Sequence, residues 1–147
     1  MKHLWTVFCK HASIDASTKN ISLVEITEQL NLTVAVAKDK YLVPFESALV
    51  TLWMRSDIEK PEKFFTRVKF RTPEGTAVEG PPVQIDLSAS VRGRAIANQP
   101  GLPLTKAGFY EFEIETLDEI KNTWSKVASL PLQVDIAIAP PKVAARN

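Results

Sequence analysis

Hydrophobic and polar residues alternate along much of this chain, and the alternation predicts β-strands. The clearest case is the segment 104–116, LTKAGFYEFEIET. After Gly108 the apolar residues fall on one side and the acidic residues on the other; they are Tyr110, Phe112 and Ile114 against Glu111, Glu113 and Glu115. A period of two is typical of a strand with one face on a core and one face in water.

The beginning of this strand resembles a tyrosine corner. In that device a glycine turns the chain into a strand, and a tyrosine two residues later hydrogen-bonds its hydroxyl to nearby backbone. Gly108 and Tyr110 have this spacing. In antibody domains the position two beyond the tyrosine is a cysteine of the inter-sheet disulfide, whereas here it is Phe112. We therefore predict a sandwich whose centre is packed rather than cross-linked.

The same pattern predicts further strands, separated by turn signals rich in Gly, Pro, Asn and Asp. They are 4–11, 21–27 (with the first strand a long hairpin), 30–36, 50–54, 64–71, 83–91, 124–128 and 130–138. Two segments also carry helical spacing. We favour a strand for 45–55 and a loop leading into a strand for 117–128, with a short helix as the alternative in each. Residues 93–103 are predicted to form a loop.

About seven to nine short strands with turns every 8–12 residues favour an all-β fold. We predict an antiparallel β-sandwich of immunoglobulin-like or related Greek-key topology. Residues 1–139 would form a single domain and 140–147 a flexible C-terminal tail. Trp53 and Trp124 are expected in the core, and Pro131 is expected to mark a strand edge or a bulge.

Composition narrows the class without naming a function. The chain has 147 residues, of which 45% are hydrophobic and 24% charged, which is ordinary for one globular domain. Its one cysteine cannot form an internal disulfide and fits a reducing compartment. No secretory signal or apolar run of about 20 residues is recognised, so we expect a cytoplasmic protein that does not bind membranes. The net charge of +1 argues against nucleic acid as a partner.

Two predicted strands carry opposite charges on their outer faces. The basic face holds Arg67, Lys69 and Arg71, and the acidic face holds the three glutamates of 111–115. If the strands are neighbours, cross-strand pairs worth about 0.2–1 kcal/mol each would form. If they are not, a basic and an acidic stripe would be candidate docking surfaces. We favour ordinary solvated outer faces.

Catalytic chemistry finds little support in the residues. Cys9, His11 and Asp15 could form a nucleophile, base and orienting carboxylate if the thiol lay within hydrogen-bond reach of the imidazole. Strand neighbours two apart diverge, and a buried cysteine usually acts as a small hydrophobe, so a structural role is favoured. No zinc-ligand spacing, phosphate-binding glycine motif or nucleophile elbow occurs. We predict no catalytic residues, no metal ligands and no cofactor.

One short segment, residues 92–94, is a candidate for ligand binding. Gly93 would let the backbone approach a ligand, while the guanidinium groups of Arg92 and Arg94 could bind a phosphate or carboxylate. The favoured alternative is that Arg92 lies on an outer face and Gly93 forms a bulge.

Several stretches together resemble a bacterial family of uncharacterised single-domain proteins, a domain of unknown function. They are Val7–Ala12 followed by Asp15, Thr18–Leu23, Pro44-Phe45 leading to Leu52-Trp53, Gly108–Tyr110, and Leu130–Val134. The resemblance spans residues 4–138. It implies a cytoplasmic bacterial β-sandwich and assigns no activity and no functional residue.

The functional hypothesis that follows is a non-enzymatic binding or interaction module. It would act through open sheet edges or end loops, with an unknown protein partner or by self-association. The alternative is a small-ligand-binding protein or enzyme with a pocket near the 92–101 loop.

Overall fold

The computed structural model describes residues 1–43 and 45–141. Of the predicted tail 140–147, residues 142–147 lie outside this range. All regular elements of the described residues are strands: β1 (Lys2–Ile14), β2 (Ile21–Ile26), β3 (Gln29–Val34), β4 (Tyr41–Val43), β5 (Ser47–Met54), β6 (Lys63–Arg71), β7 (Ala77–Glu79), β8 (Val83–Asp86), β9 (Arg92–Gln99), β10 (Leu102–Leu104), β11 (Gly108–Asp118) and β12 (Thr123–Ile138).

These strands form an all-β sandwich, which confirms the predicted fold class. The first sheet has the order β2-β1-β5-β9, and the second has the order β3-β12-β11-β6-β7 with β8 also beside β6. The short strands β4 and β10 pair with each other in a separate two-stranded sheet. The chain passes from β5 in the first sheet to β6 in the second, and from β9 through β10 back to β11. The pairing is antiparallel except between β3 and β12, which are parallel.

Large apolar side chains from both sheets meet in one core. Phe8 of the first sheet lies 4.8 Å from Phe112 of the second, and Trp53 lies 5.0 Å from Phe64, measured between ring centroids. The prediction that Trp53 is buried is confirmed, because its side chain has no exposed surface. These contacts hold β1 and β5, and with β5 also β9, against the second sheet.

Trp124 was expected in the core, and this is wrong. It lies half-buried on the outer face of the second sheet, where the guanidinium carbon of Arg67 stands 4.3 Å from the ring centroid. A bulge shifts the register of β11 and β12 after Ile114, so that Trp124 pairs with Leu117. The bulge reverses which residues of β12 face the core. Trp124 therefore faces outward, although the spacing along the sequence predicts that it faces the core.

The tyrosine corner is present. The Tyr110 hydroxyl donates to the carbonyl oxygen of Lys106 at 2.7 Å and accepts from the backbone nitrogens of Thr105 and Lys106 at 2.9 and 3.1 Å. Gly108 has a φ of 146°, and a Cβ added there would lie 3.0 Å from Cγ of Pro73. Glycine is therefore required both by the backbone conformation and by the close approach of the 72–75 turn.

The largest errors of the sequence prediction lie between 83 and 103. The strand predicted over 83–91 ends at Asp86, because Asp86 Oδ1 accepts the backbone nitrogen of Ser88 at 2.8 Å and turns the chain. The loop predicted over 93–103 is instead strand β9, followed by the short strand β10. The short strands β4 and β7 also have no counterpart in the prediction.

The two ambiguous segments contain no helix. Residues 47–54 form β5, in agreement with the favoured interpretation of 45–55. In 117–128, the strand β11 continues to Asp118 and β12 begins at Thr123, so only a tight turn separates them. Pro131 lies in the part of β12 that β3 does not reach, since the β3 pairing begins at Gln133. It is thus on an edge, as predicted.

The predicted hairpin of β1 and β2 is confirmed, but it also folds back on the first sheet. β1 pairs with β5 up to Cys9 and with β2 from Cys9 onward. Beyond that point Ala12, Ile21 and Leu23 pack against the outer face of β5. The turn of the hairpin is tied to β9 by Arg94, whose Nη2 donates to the Lys19 carbonyl at 2.8 Å. The hairpin therefore forms a third layer over one sheet.

Candidate functional site

Two concave surfaces flank strand β9, one on each face of its sheet. The first, which we call the hairpin cleft, has a volume of about 860 Å³ and lies between the hairpin turn and the outer face of the first sheet. The second, the edge groove, has a volume of about 620 Å³ and lies between β9 and the strands β6, β7 and β8. Both are within the size range of ligand-binding pockets in proteins.

The candidate ligand-binding residues Arg92, Gly93 and Arg94 lie on β9 and not in a loop. They pair in regular register with Met54, Trp53 and Leu52, so neither the predicted loop nor the alternative bulge is correct. A Cβ added to Gly93 would lie 2.8 Å from Cδ2 of the buried Leu87. Gly93 thus serves close packing against Leu87, while Arg92 and Arg94 line the hairpin cleft.

The structure brings these two arginines together with Lys19 of the hairpin turn. No carboxylate is among the residues that line the cleft, and in the described part of the chain neither Lys19 nor Arg92 forms an ion pair. The nearby Asp15 carboxylate accepts the backbone nitrogens of Thr18 and Ser17 at 2.7 and 2.9 Å. Hydrogen bonds from Thr18 are the largest cause of the lowered pKa of Asp15, and the bond from Ser17 lowers it further. The lining of the cleft thus carries three formal positive charges and no negative one, and the ionised Asp15 carboxylate lies close by, outside that lining.

The apolar wall of the hairpin cleft comes from two strands, β1 and β5. Its residues are Trp5 of β1, Ile14 at the end of β1, and Leu52 of β5. Trp5 packs partly against the cluster of Cys9, Ala48 and Val50, and the rest of the residue is exposed. The sequence pattern does not link Trp5 or Lys19 to the arginines, because the link depends on the hairpin folding back over the first sheet.

The edge groove is apolar and follows the inner face of β9. Ala95 and Ala97 contribute small side chains to it, opposite larger ones from the second sheet; these are Val68, Phe70, Val78 and Ile85. Because the alanines are small, the gap between the sheets is left unfilled at this side. Within residues 1–43 and 45–141, β9 pairs with β5 alone, so its other edge is free. The period-two run of small residues from Gly93 to Ala97 was the signal that could have identified β9 as a strand.

Cys9, His11 and Asp15 do not form the arrangement of nucleophile, base and orienting carboxylate. Cys9 is fully buried. Its Sγ contacts the backbone carbonyl oxygen of His11 at 3.4 Å and not the imidazole of that residue, which is exposed. Burial raises the pKa of the Cys9 thiol, which disfavours the reactive thiolate. Likewise, no group of three His, Cys, Asp or Glu side chains in the described ranges is placed to hold a metal ion.

The charged outer faces of β6 and β11 are neighbours, so they form ion pairs and not separate stripes. Arg71 binds Glu113 through Nε at 2.7 Å and Nη2 at 3.1 Å. Arg67 Nε lies 2.6 Å from a Glu115 carboxylate oxygen. Glu113 and Glu115 are only 7% exposed, although the alternation had placed them in water. The basic side chains of β6 and the acidic side chains of β11 neutralise each other, so this face is not a candidate docking surface.

One prediction about acid stability follows from the Arg71–Glu113 pair. The hydrogen bonds from Arg71 lower the pKa of Glu113. A carboxyl whose pKa is lower in the folded state stabilises the fold above its unfolded pKa of about 4.3, and that stabilisation is lost as the pH falls through the folded value. We expect Glu113→Gln to reduce the loss of stability between about pH 5 and pH 2 by about 1 kcal/mol.

Urea unfolding at a series of pH values would measure this difference. Glu119→Gln is the matched control, because Glu119 is exposed in the turn between β11 and β12. If the two variants show the same pH dependence, the pair with Arg71 does not contribute to acid stability.

Comparison with protein-family models, curated proteins and solved structures gave no match. The resemblance to an uncharacterised bacterial family therefore stays a prediction. Within the described residues, there is no helix long and apolar enough to cross a membrane.

Proposed function

We propose that this protein is a non-enzymatic binding module that accepts an extended segment of a partner protein along the free edge of β9. The single observation that carries the proposal is the position of this edge beside the apolar edge groove. Proteins that bind peptides by strand addition use these two elements together. Main-chain hydrogen bonds supply affinity, and pockets for alternate side chains supply specificity.

The backbone of β9 supports this mode of binding. Alternate residues of a strand direct their N–H and C=O groups to opposite neighbours, so half of those on β9 are not used by β5. An extended peptide would pair with them. Every second side chain of that peptide would then enter the edge groove beside Ala95 and Ala97. Because the groove is apolar, the expected partner is a segment with apolar residues at alternate positions.

The sequence of β9 also lacks the usual protection of an edge. Proteins commonly guard free edges with charged residues, proline or bulges. From Ala95 to Gln99 the strand has none of these. By contrast, the open half of β12 carries Lys126, a bulge and Pro131. The difference favours β9 as the edge that receives a partner.

A second candidate function is the binding of a small ligand in the hairpin cleft. One specific observation favours it, namely the convergence of Lys19, Arg92 and Arg94 around a cleft of about 860 Å³. This is the alternative that sequence analysis placed near 92–101, with its location moved from an end loop to the outer face of β9.

Selection from a phage-displayed library of random peptides would test strand addition. We expect selected peptides to alternate apolar and polar residues. We expect Ala97→Phe to lower the affinity for these peptides by about tenfold or more, because the new ring fills the space that a peptide side chain would occupy. Ala137→Phe is the matched control, because Ala137 is exposed on β12. Amide hydrogen exchange should slow along β9 when peptide is bound.

The proposal is wrong if the selected peptides show no alternation and bind Ala97→Phe as well as the wild type. Light scattering addresses self-association separately. A dimer that Ala97→Phe converts to a monomer would identify the partner as the β9 strand of a second copy.

A further inference from the structure

We infer that the hairpin cleft binds a small organic anion, in which a phosphate or carboxylate is joined to a flat apolar group. This inference deepens the second candidate function and is independent of strand addition at β9. It names the chemistry of the ligand from the groups that line the cleft.

The charges of the cleft select an anion. Lys19, Arg92 and Arg94 are among the residues that line the cleft, and no carboxylate is in that lining. A guanidinium offers five N–H donors in a planar fork that matches the oxygens of a phosphate or carboxylate. Arg94 uses one of these donors on the Lys19 carbonyl, so the others remain for a ligand. The guanidinium of Arg92 forms no hydrogen bond or ion pair with another side chain or backbone group of the described residues.

The position of Arg94 is fixed before any ligand arrives. Its Nη2 bond of 2.8 Å joins β9 to the hairpin turn across 75 positions of the chain. Lys19 has a φ of 62°, in the left-handed region, and the Asp15 carboxylate holds the same turn through two backbone nitrogens. The cations therefore sit on ordered backbone, and binding need not order a free loop.

The rest of the lining selects a flat apolar group of limited size. Trp5, Ile14 and Leu52 form an apolar wall next to the cations. An indole accepts aromatic rings by stacking, with centroids about 4.5–7 Å apart. A cleft of about 860 Å³ under a hairpin suits a small molecule rather than a protein surface. An aromatic or similarly flat anion uses both halves of the site.

Titration with four probes, followed by ¹H–¹⁵N NMR spectra, would test the inference. The probes are phenyl phosphate, benzoate, inorganic phosphate and the neutral analogue phenol. We expect phenyl phosphate and benzoate to shift the indole signal of Trp5 and the amides of 18–21 and 90–94. Inorganic phosphate and phenol should each bind more weakly by about tenfold or more, because each lacks half of the ligand.

Two variants assign the effect to charge in the cleft. Arg92→Gln should lower the affinity for phenyl phosphate by about tenfold, and the double variant Arg92→Gln with Arg94→Gln should abolish detectable binding. Lys121→Gln removes the same charge from the exposed turn between β11 and β12 and should have no effect. The spectrum of each variant without probe shows whether it is folded.

The outcomes separate this inference from the two candidate functions. If phenol shifts the cleft signals as strongly as phenyl phosphate, the cleft binds ligands but not anions, and the inference alone is wrong. If no probe shifts them, both the inference and the ligand-binding candidate fail. Tight binding of a single-stranded oligonucleotide at the same residues would also overturn it. Ala97→Phe should leave phenyl phosphate binding unchanged, so a failure of strand addition is seen independently.

Discussion

Trp53→Ala should lower the free energy of unfolding by about 3–5 kcal/mol. The side chain has no exposed surface, and its ring contacts Phe64 and His3 with centroid distances of 5.0 and 5.1 Å. Its Nε1 donates to Oγ1 of Thr51 at 2.8 Å, so truncation also leaves that hydroxyl without its donor. Urea unfolding followed by far-ultraviolet circular dichroism would measure the loss.

Trp124→Ala is the matched control for that experiment. Trp124 is half-buried on an outer face, where it contributes a contact with the Arg67 guanidinium. Such cation–π contacts at exposed sites are worth about 0.5–1 kcal/mol. Losses of equal size for the two tryptophans would contradict the assignment of Trp53 to the core and Trp124 to the surface.

Tyr110→Phe should cost about 2–3 kcal/mol, although it removes only one oxygen atom. That oxygen donates to the carbonyl of Lys106 and accepts from the backbone nitrogens of Thr105 and Lys106. The phenyl ring would keep the packing, since Tyr110 stacks on Phe70 with centroids 5.3 Å apart. The loss therefore comes from backbone groups that no longer have a partner.

Tyr41→Phe provides the comparison. At this exposed site the Tyr41 hydroxyl accepts one hydrogen bond, from the backbone nitrogen of Lys38. We expect a loss of about 1 kcal/mol or less there. Thermal or urea unfolding of both variants measures the difference. If Tyr110→Phe is no more destabilising than Tyr41→Phe, the corner is not a major source of stability.

Both large effects concern the scaffold that positions β9. Trp53 lies directly opposite Gly93 in the pairing of β5 with β9, and the tyrosine corner holds the chain between β10 and β11. A loss at either place should loosen the edge groove and the hairpin cleft together. Variants that test function are for this reason placed at Arg92, Arg94 and Ala97, none of which is fully buried.

The sequence alone determined the local structure wherever large apolar residues alternate with polar ones. Strands β6 and β11 were predicted almost to their ends, because Phe64, Val68 and Phe70 on one and Phe112 and Ile114 on the other have unambiguous alternation. The tyrosine corner was also predicted, since its hydrogen bonds join Tyr110 to backbone groups only four and five residues away. Such signals are contained within a few neighbouring residues.

Only the tertiary structure decided the features that depend on distant residues. Strand β9 has small inner side chains and a weak local pattern, and it is a strand because β5 pairs with it. Lys19 meets Arg94 across 75 positions only because the hairpin folds back on the first sheet. Both candidate sites lie on β9, so their prediction required contacts between segments far apart in the chain, which alternation along one segment does not encode.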